Sequence, residues 1–485
     1  MNHYLTACVS AVAASLLAAA PARAAAFHVD PAGSDAAAGT SPATAWKTVA
    51  RANQAKPNPG DSLLFKCGGV WAGQLNLAAS GSEGKYITLT AYWEGPLPAF
   101  ENPDNASAYA INLSGDWIEV SRVQVRKVFL QGINVGTGSE HTLFRGVEVY
   151  QCGLGIYISG RYARVTGSYF HDLNTMVNTP GGNDDNGAVG VVMANSDMEV
   201  DHNRFEKCIG PSFDYGYDGG AVEIWAERDI RNVSIHHNRI RRCCGFFEIG
   251  GLGFAVEGVR VAYNQMEDCF GLSFLLFNNS GDYTIKLKDY RFENNTVVVH
   301  DCPGERVWTC IAFVIPSEPG VPAMRNNLFY VFNADRIFDK ATSPLTENNL
   351  VFHGGAAWFD KNFTASPSDI IGKDPLFEDP GTCAATGDYR LKPGSPALAA
   401  GLDLGYGEDL EGKPLAAGAK PAIGAYGAAA TVAINKKGRL MPASNQTRAV
   451  PSDALGRKVK AISGGGRTRS GIPRQRPCIP SGDGS

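Results

Sequence analysis

Short runs of alternating apolar and polar residues recur along the middle of the chain. Gly-Ile-Asn-Val at 132–135 returns 23 residues later as Gly-Ile-Tyr-Ile at 155–158. A similar run at 187–191 returns at 220–224, and the run at 246–249 follows at a 25-residue step. Alternation with a period of two over four to six residues is typical of β-strands. Because helical periodicity is nearly absent from this region, we predict an all-β chain.

A second repeated motif places asparagine at a fixed position. It reads Asp-His-Asn-Arg-Phe at 201–205 and returns in related form at 236–240, 262–266, 293–297, 325–329 and 347–351. An asparagine repeated in this way fits a stacked turn, in which its side-chain amide bonds to the next repeat. Cys208, Cys243 and Cys269 each follow their asparagine by five residues. We expect these cysteines to stack in the interior.

Repeats of this length, each with two or three short strands, predict the coils of a parallel β-helix, a solenoid. One coil cannot bury its own apolar face, and stacking creates a continuous core. A β-propeller is the alternative, but its blades of about 40 residues are longer than these steps. We therefore predict one β-helical domain over residues 25–427, with 1–24 and 428–485 outside it.

The first 24 residues are expected to be a signal peptide for export. Their Ala-rich apolar stretch at 5–20 is too short to span a bilayer with confidence, and Pro-Ala-Arg-Ala at 21–24 fits a cleavage site. No later segment qualifies as a membrane span. We therefore predict a periplasmic or secreted protein that has no membrane partner.

Charge is distributed unevenly along the 485 residues, whose net charge is −4. Residues 428–485 hold 11 Lys+Arg and 2 Asp+Glu, whereas residues 25–427 hold 32 and 46, a charge of −14. An acidic body argues against nucleic acid as a partner, because phosphate binding needs a basic face. The basic segment is rich in Gly, Pro, Ser and Arg, and we expect it to be a disordered tail.

The 11 cysteines can form disulfides if the chain is exported. Cys302 and Cys310 flank a short loop that contains Pro and Gly, and we predict that they pair. The sequence contains neither a Cys-x-x-Cys pair nor His-Glu-x-x-His, so a zinc site has little support.

Both ends of the predicted β-helix carry further motifs. Phe-His-Val-Asp-Pro-Ala-Gly-Ser-Asp opens it at 27–35, with Trp-Lys-Thr at 46–48, and Asp-Pro-Leu-Phe at 374–377 and Ile-Gly-Ala-Tyr-Gly at 423–427 close it. These motifs resemble the N-terminal cap and the ending of secreted right-handed parallel β-helix proteins of the pectate lyase-like superfamily. The resemblance implies that architecture. It implies several functions, since such proteins include uronate lyases, glycoside hydrolases, epimerases and adhesive spikes.

The repeat register places two glutamates on neighbouring strands. Aligning the runs turns Val222 and Ile224 towards the core and leaves Glu223 and Glu248 side by side on an exposed outer face. The same alignment places Gly190 beside Glu223, where it would leave room for a sugar ring. Two adjacent carboxylates repel each other, so we expect them to share a proton or to enclose a cation or a substrate group.

Two long inserts, at 172–186 and 209–219, enter the same sheet and are expected to form a wall beside the glutamates. The further candidate residues in and beside these inserts are His171, Asp184, Asp185, Tyr215, Tyr217 and Asp218. The two neighbouring aspartates either cap a turn or bind Ca²⁺. The tyrosines either pack the loop, support a sugar ring or transfer protons.

Two reactions fit these candidates. In elimination from a uronate, Ca²⁺ held by Glu223, Glu248 and Asp218 would neutralise the sugar carboxylate. Tyr215, Tyr217 or His171 would then transfer the proton.

In hydrolysis, two of the carboxyl groups would act directly as acid and as nucleophile or base. A third possibility is a protein that binds saccharide without cleaving it. Following the habits of the family that the chain resembles, we expect a monomeric lyase of an acidic polysaccharide, with Ca²⁺ as the one cofactor.

Overall fold

The computed structural model describes residues 24–427, apart from 105–108, 183, 252, 270–273, 277–284, 303–309, 315–319, 333–335, 339–343 and 355–363. The predicted signal peptide, except for Ala24, and the predicted tail at 428–485 lie outside the described residues. Within the described part, no helix has the length and apolar character needed to cross a membrane.

The chain winds as a parallel β-helix in which each coil supplies strands to three sheets in turn. The first sheet has 12 strands: Ala26–Val29, Ser62–Lys66, Ile87–Tyr92, Ile118–Ser121, Leu143–Arg145, Arg164–Thr166, Met198–Asp201, Ile230–His236, Ala255–Ala262, Lys286–Glu293, Gly320–Arg325 and Pro344–Glu347. The all-β prediction and the β-helix prediction are confirmed.

The second sheet follows the first sheet after a short turn, which holds the repeated asparagine in the coils from Asn203 to Asn349. Its strands are Val70–Ala72, Ala99–Asn102, the first part of Gln124–Val135, the first part of Glu148–Ile158, Tyr169–His171, Arg204–Glu206, Arg239–Arg241, Gln265–Glu267, Thr296–Val299, Leu328–Val331, Leu350–His353 and Ile370–Ile371.

The third sheet completes each coil and carries the two glutamates. Its described strands are Leu75–Leu77, Ile111–Leu113, the second part of Gln124–Val135, the second part of Glu148–Ile158, Val189–Met193, Gly220–Ala226, Phe247–Gly251, Phe274–Leu276, Cys310–Val314 and Arg336–Phe338.

The remaining elements are short. They are a 3-10 helix at Pro42–Thr44, an α-helix at Val49–Ala52, and three antiparallel strand pairs: Thr175–Val177 with Asn186–Gly187, Gly210–Ser212 with Gly216–Asp218, and Phe377–Asp379 with Asp388–Leu391. The segment after the α-helix covers the first strand of the third sheet. Asn53 donates to the carbonyl of Gln74 at 2.9 Å and accepts from the N–H of Asn76 at 2.8 Å. These bonds satisfy an edge that the preceding chain does not pair.

One apolar core runs through the coils from Val29 to Val351. It is built from the inward positions of each strand, because successive side chains of a strand point to opposite faces. A smaller cluster lies near the C-terminal end, where Phe377 and Tyr389 pack against Val298 of the second sheet. The segment that follows the last coil therefore folds back over the outer face of that sheet.

The repeated asparagines form a buried ladder, as predicted. Asn238 donates through Nδ2 to the Val200 carbonyl at 2.9 Å and to Oδ1 of Asn264 at 3.0 Å, and its own Oδ1 accepts from the N–H of Asn203 at 2.9 Å. The same contacts link Asn203, Asn238, Asn264, Asn295, Asn327, Asn349 and Asp369 in order. The residue before each asparagine has a φ between 51° and 56°. This left-handed turn is what aims each amide along the stack.

The cysteine column also lies where the sequence predicts. Cys208, Cys243 and Cys269 are buried, and the Cys243 thiol contacts both of the others. Burial and the neighbouring Cys208 thiol raise the pKa of Cys243 well above its ordinary value, so the Cys243 thiol is protonated.

The predicted pairing of Cys302 with Cys310 is wrong, because Cys302 forms a disulfide with Cys383, 81 residues away. Cys302 follows the second-sheet strand Thr296–Val299, and the returning C-terminal segment crosses the outer face at this point. Arg242 donates to the carbonyl of Cys383 at 3.2 Å and holds the same segment in place.

Candidate functional site

Glu223 and Glu248 occupy paired positions on adjacent parallel strands of the third sheet. Val222 and Ile224, on either side of Glu223, belong to the apolar core. Glu223 therefore points away from the core, because side chains alternate along a strand. The predicted pairing of the two glutamates on the outer face is confirmed.

The neighbour of Glu223 on the preceding coil is Val192, so the prediction of Gly190 at this position is wrong. Val189 pairs with Gly220, which shifts the strand by two residues from the sequence alignment. A Cβ added to Gly190 would lie 2.7 Å from the ring of Phe205 in the core. The absent side chain thus makes room for this phenylalanine and leaves no space for a sugar.

The predicted exposure of this face is wrong for Glu223, which is 2 % exposed. Since its side chain points outward, the cover comes from chain segments that lie on the outside of the β-helix. Glu248 remains partly exposed. Glu248 is therefore the more exposed member of the pair.

The two predicted inserts fold as antiparallel strand pairs that contact each other. Asp185 of the first insert accepts hydrogen bonds from the second insert, from the hydroxyl of Ser212 at 2.8 Å and the N–H of Asp214 at 3.0 Å. It also accepts from the N–H of Thr179 at 2.6 Å. Burial works to raise the pKa of Asp185, but these bonds outweigh it and hold the pKa below its ordinary value. Asp185 is thus an ionised clamp between the inserts.

Asp218 stands at the end of the second insert, directly before the strand that carries Glu223. It is 5 % exposed. One oxygen accepts from the N–H of Gly219 at 2.7 Å, and the other is buried without a hydrogen-bond partner in the described part of the chain. Burial, opposed by the Gly219 bond and assisted by the charge of Asp185, raises the pKa of Asp218 to about 7.

The same environment acts on both glutamates. Burial and the charge of Asp218 raise the pKa of Glu223 to about 8. Burial, followed by the charges of Glu223 and Asp218, raises the pKa of Glu248 well above its usual range. The three carboxyl groups therefore carry fewer than three negative charges at neutral pH, because each ionisation opposes the next.

Sequence reasoning missed Trp225, whose ring covers Gly250 of the next coil, beside Glu248. A Cβ added to Gly250 would lie 2.7 Å from this ring. A glycine two positions after Glu248 was the available signal, because an outward glycine allows a neighbouring ring to lie flat on the strand.

Tyr157 and Arg228 were also missed. Burial, followed by the charge of Glu227, raises the pKa of Tyr157 above its usual range, with further effects of Glu223 and Arg228. The Nε atom of Arg228 is buried and has no hydrogen-bond partner among the described residues. No sequence signal points to Arg228, because its position follows from the turn after the third-sheet strand.

The remaining predicted residues differ in their burial and in the sheet or insert that carries them. Tyr215 is buried within the second insert, while Tyr217 is exposed. His171 lies in the second sheet, where its ring nitrogens meet Asp172 at 2.8 Å and Glu148 at 3.3 Å. The structure therefore does not bring His171 into the pair's surroundings.

The predicted calcium ligands do not form one group. In the described residues, Asp184 and Asp185 approach Asp214 closely enough for three carboxylate oxygens to lie within 4.8 Å of one another. Glu223, Glu248 and Asp218 belong to no such group there. Calcium binding at the glutamate pair stays a prediction.

The sequence matches the family model described as "Right handed beta helix region" over residues 109–351, half of the chain. The chain belongs to this family. No curated protein sequence matches this β-helix. Its fold resembles that of pectate lyase Pel9A (16 % identity, TM-score 0.47, covering 83 % of this chain and 96 % of the other).

Two further solved structures are similar to this β-helix. One is the GH136 lacto-N-biosidase from Eubacterium ramulus, with 11 % identity, a TM-score of 0.45, and coverage of 72 % of this chain and 68 % of the other. The other is an alginate lyase from Paenibacillus sp. str. FPU-7, with 12 % identity, a TM-score of 0.41, and coverage of 61 % and 97 %. At these identities the similarity concerns the fold alone.

Proposed function

We propose that this β-helix protein hydrolyses a glycosidic bond of a polysaccharide, with Glu223 and Glu248 as the catalytic residues. The observation that supports the proposal is the in-register pair of glutamates whose pKa values are both raised. Glycoside hydrolysis needs one protonated and one ionised carboxyl beside the same bond. Burial next to like charges is how proteins keep a carboxylic acid protonated near neutral pH.

The exposure of the two groups suggests their roles. Protonated Glu248, the more accessible group, donates its proton to the glycosidic oxygen as the bond from that oxygen to the anomeric carbon breaks. Ionised Glu223 attacks the anomeric carbon and forms a glycosyl ester. Glu248, now a carboxylate, removes a proton from water, which attacks the ester and releases Glu223. Neighbouring strands are about 4.8 Å apart, a spacing that corresponds to the retaining class.

Asp218 controls how many protons the pair holds. Its pKa of about 7 is lower than the pKa of about 8 of Glu223, so Asp218 ionises before Glu223. The resulting negative charge favours the protonated form of the glutamate that acts as the acid. The same acidic surroundings repel a uronate, which favours a neutral sugar at the cleaved bond.

Elimination from a uronate is the second candidate, and Arg228 is the observation that favours it. Its buried Nε has no partner among the described residues and is suited to a sugar carboxylate. The hydroxyl of Tyr157 would then lie near the acidic carbon–hydrogen bond as the proton-transfer group. The calcium requirement remains a prediction, with Asp184, Asp185 and Asp214 as the grouped oxygen donors.

One assay distinguishes these reactions. The purified full chain is incubated with neutral and uronate-containing polysaccharides, each with and without a chelator. New reducing ends without ultraviolet absorbance, and insensitive to chelator, support hydrolysis. Absorbance from an unsaturated uronate supports elimination, and its loss on chelation supports calcium. If every substrate binds and none is cleaved, the protein is a saccharide-binding β-helix and the proposal is wrong.

A further inference from the structure

The outer face of the third sheet is filled on one side of the glutamate pair. From Glu223 towards the N-terminus, the successive outward positions are Val192 and Tyr157, which are 1 % and 8 % exposed. Both belong to an apolar cluster that is separate from the core and includes Trp225. A polymer that followed the sheet past Glu223 would meet packed side chains at the next coil.

The first insert covers the outer face of the third sheet on the same, N-terminal side of the glutamate pair. Met176 belongs to the same outer cluster, together with Leu154. The side chain of Met176 lies on Gly153, where an added Cβ would be 2.1 Å from its Cγ. Thr175 donates from its hydroxyl to the carbonyl of Pro211 at 2.8 Å, so the second insert braces the first. The barrier is thus a packed part of the fold.

The three carboxyl groups differ in their exposure. Glu248 keeps partial exposure, whereas Glu223 and Asp218 are almost fully covered. Because Glu248 is the more exposed carboxyl group, the substrate reaches the pair at Glu248, and its end lies against the apolar cluster. A chain end fits such a blind pocket, whereas the middle of a long polymer needs an opening on both sides.

We infer that the protein acts on the ends of saccharide chains and removes short units from them, as an exo-acting enzyme. This inference rests on the proposed cleavage of a glycosidic bond and holds for hydrolysis and for elimination. It identifies the substrate as a terminal segment, and it assigns the closure to Val192 and Met176. Neither residue touches the reacting atoms, so their effect is on which bonds are reached.

The test follows the wild-type full chain on a long polymer that it cleaves. Viscosity and product size are measured together as bonds are broken. We expect one class of short product from the first time point and little loss of viscosity. Products of random length, with an early fall in viscosity, would overturn the inference while leaving cleavage established. The absence of cleavage on every polysaccharide would overturn the proposed function and this inference with it.

A variant gives a second readout. Val192→Ala combined with Met176→Ala removes volume from the barrier and is expected to increase the share of long, internally cut products several-fold. The matched control is Val70→Ala, at an exposed position of the second sheet. It should leave the product distribution unchanged. A double variant that folds with wild-type melting behaviour and yields wild-type products would show that the cluster does not limit access.

Discussion

Glu223 and Glu248 lie opposite each other on adjacent parallel strands, 25 residues apart in the chain, and both point away from the core. A parallel β-helix produces this arrangement because one coil separates paired positions. The second insert brings the buried carboxyl group of Asp218 close enough for its charge to raise the pKa of Glu223. Three carboxyl groups that are costly to ionise are thus held together by the register of the coils and by one loop.

The buried acids predict that part of the stability is lost as the pH rises. The pKa of Asp218 is raised from 3.8 to about 7, so the folded chain binds this proton more tightly than the unfolded chain. The stabilisation is complete below about pH 4 and decreases as the pH rises through 7. Relative to wild type, Asp218→Asn should therefore gain up to about 4 kcal/mol in free energy of unfolding between pH 4 and pH 8.

Denaturant unfolding at several pH values measures this difference. The control is Asp104→Asn, at an exposed position, which should follow the wild-type pH dependence. If Asp218→Asn and wild type changed in parallel across the whole range, the raised pKa of Asp218 would be ruled out.

The asparagine ladder predicts a large cost for a single buried amide. Asn238→Ala leaves the Val200 carbonyl and the N–H of Asn203 without their side-chain partner in the dry interior. Two buried groups that lose hydrogen bonds cost about 2–4 kcal/mol in free energy of unfolding. Denaturant unfolding at pH 7 is the measurement, and Gln54→Ala, at an exposed position, is the control. Equal losses for both variants would contradict the structural role of the ladder.

The hydrogen bonds of Asp185 predict that the two inserts can be made more mobile without unfolding the β-helix. Asp185→Ala removes the acceptor for Ser212 and Asp214, and we expect faster amide exchange in residues 172–186 and 209–219. The catalytic rate should fall because Asp218 loses its support.

Hydrogen exchange followed by mass spectrometry measures the loosening, with Asp184→Ala as the control. The Asp184 carboxylate accepts only a long bond of 3.3 Å from the Thr179 hydroxyl among the side-chain bonds of the described residues. Unchanged protection of both inserts in Asp185→Ala would show that the clamp does not hold them together.

Much of the fold could be predicted from the sequence because each coil repeats a local pattern. The 25-residue step predicted the correct pairing of Glu223 with Glu248, since no long insert lies between the two strands that carry them. The predicted neighbour of Glu223 on the preceding coil, Gly190, lies two residues before the actual neighbour, Val192. Gly187 and Ala188 have positive φ angles of 132° and 56°, which interrupt the extended chain. The third-sheet strand therefore begins at Val189, later than the alternation predicts.

Features that depend on distant segments could not be predicted. The position of Asp218 beside Glu223 is set by the folded insert at 209–219, whose path has no periodic signal. The partner of Cys302 lies 81 residues further along, on a segment that returns over the second sheet. Arg228 follows the third-sheet strand Gly220–Ala226, and its position is set by the turn of the folded coil.

We propose that Glu223 and Glu248 together cleave a glycosidic bond. The most direct measurement is the initial rate of Glu223→Gln and of Glu248→Gln on the best substrate of the panel. Both should be at least about 100-fold slower than wild type, with melting temperatures that are no lower. Glu257→Gln, on the first sheet, should keep the wild-type rate. If both glutamine variants fold and cleave the substrate at the wild-type rate, the catalytic site lies elsewhere.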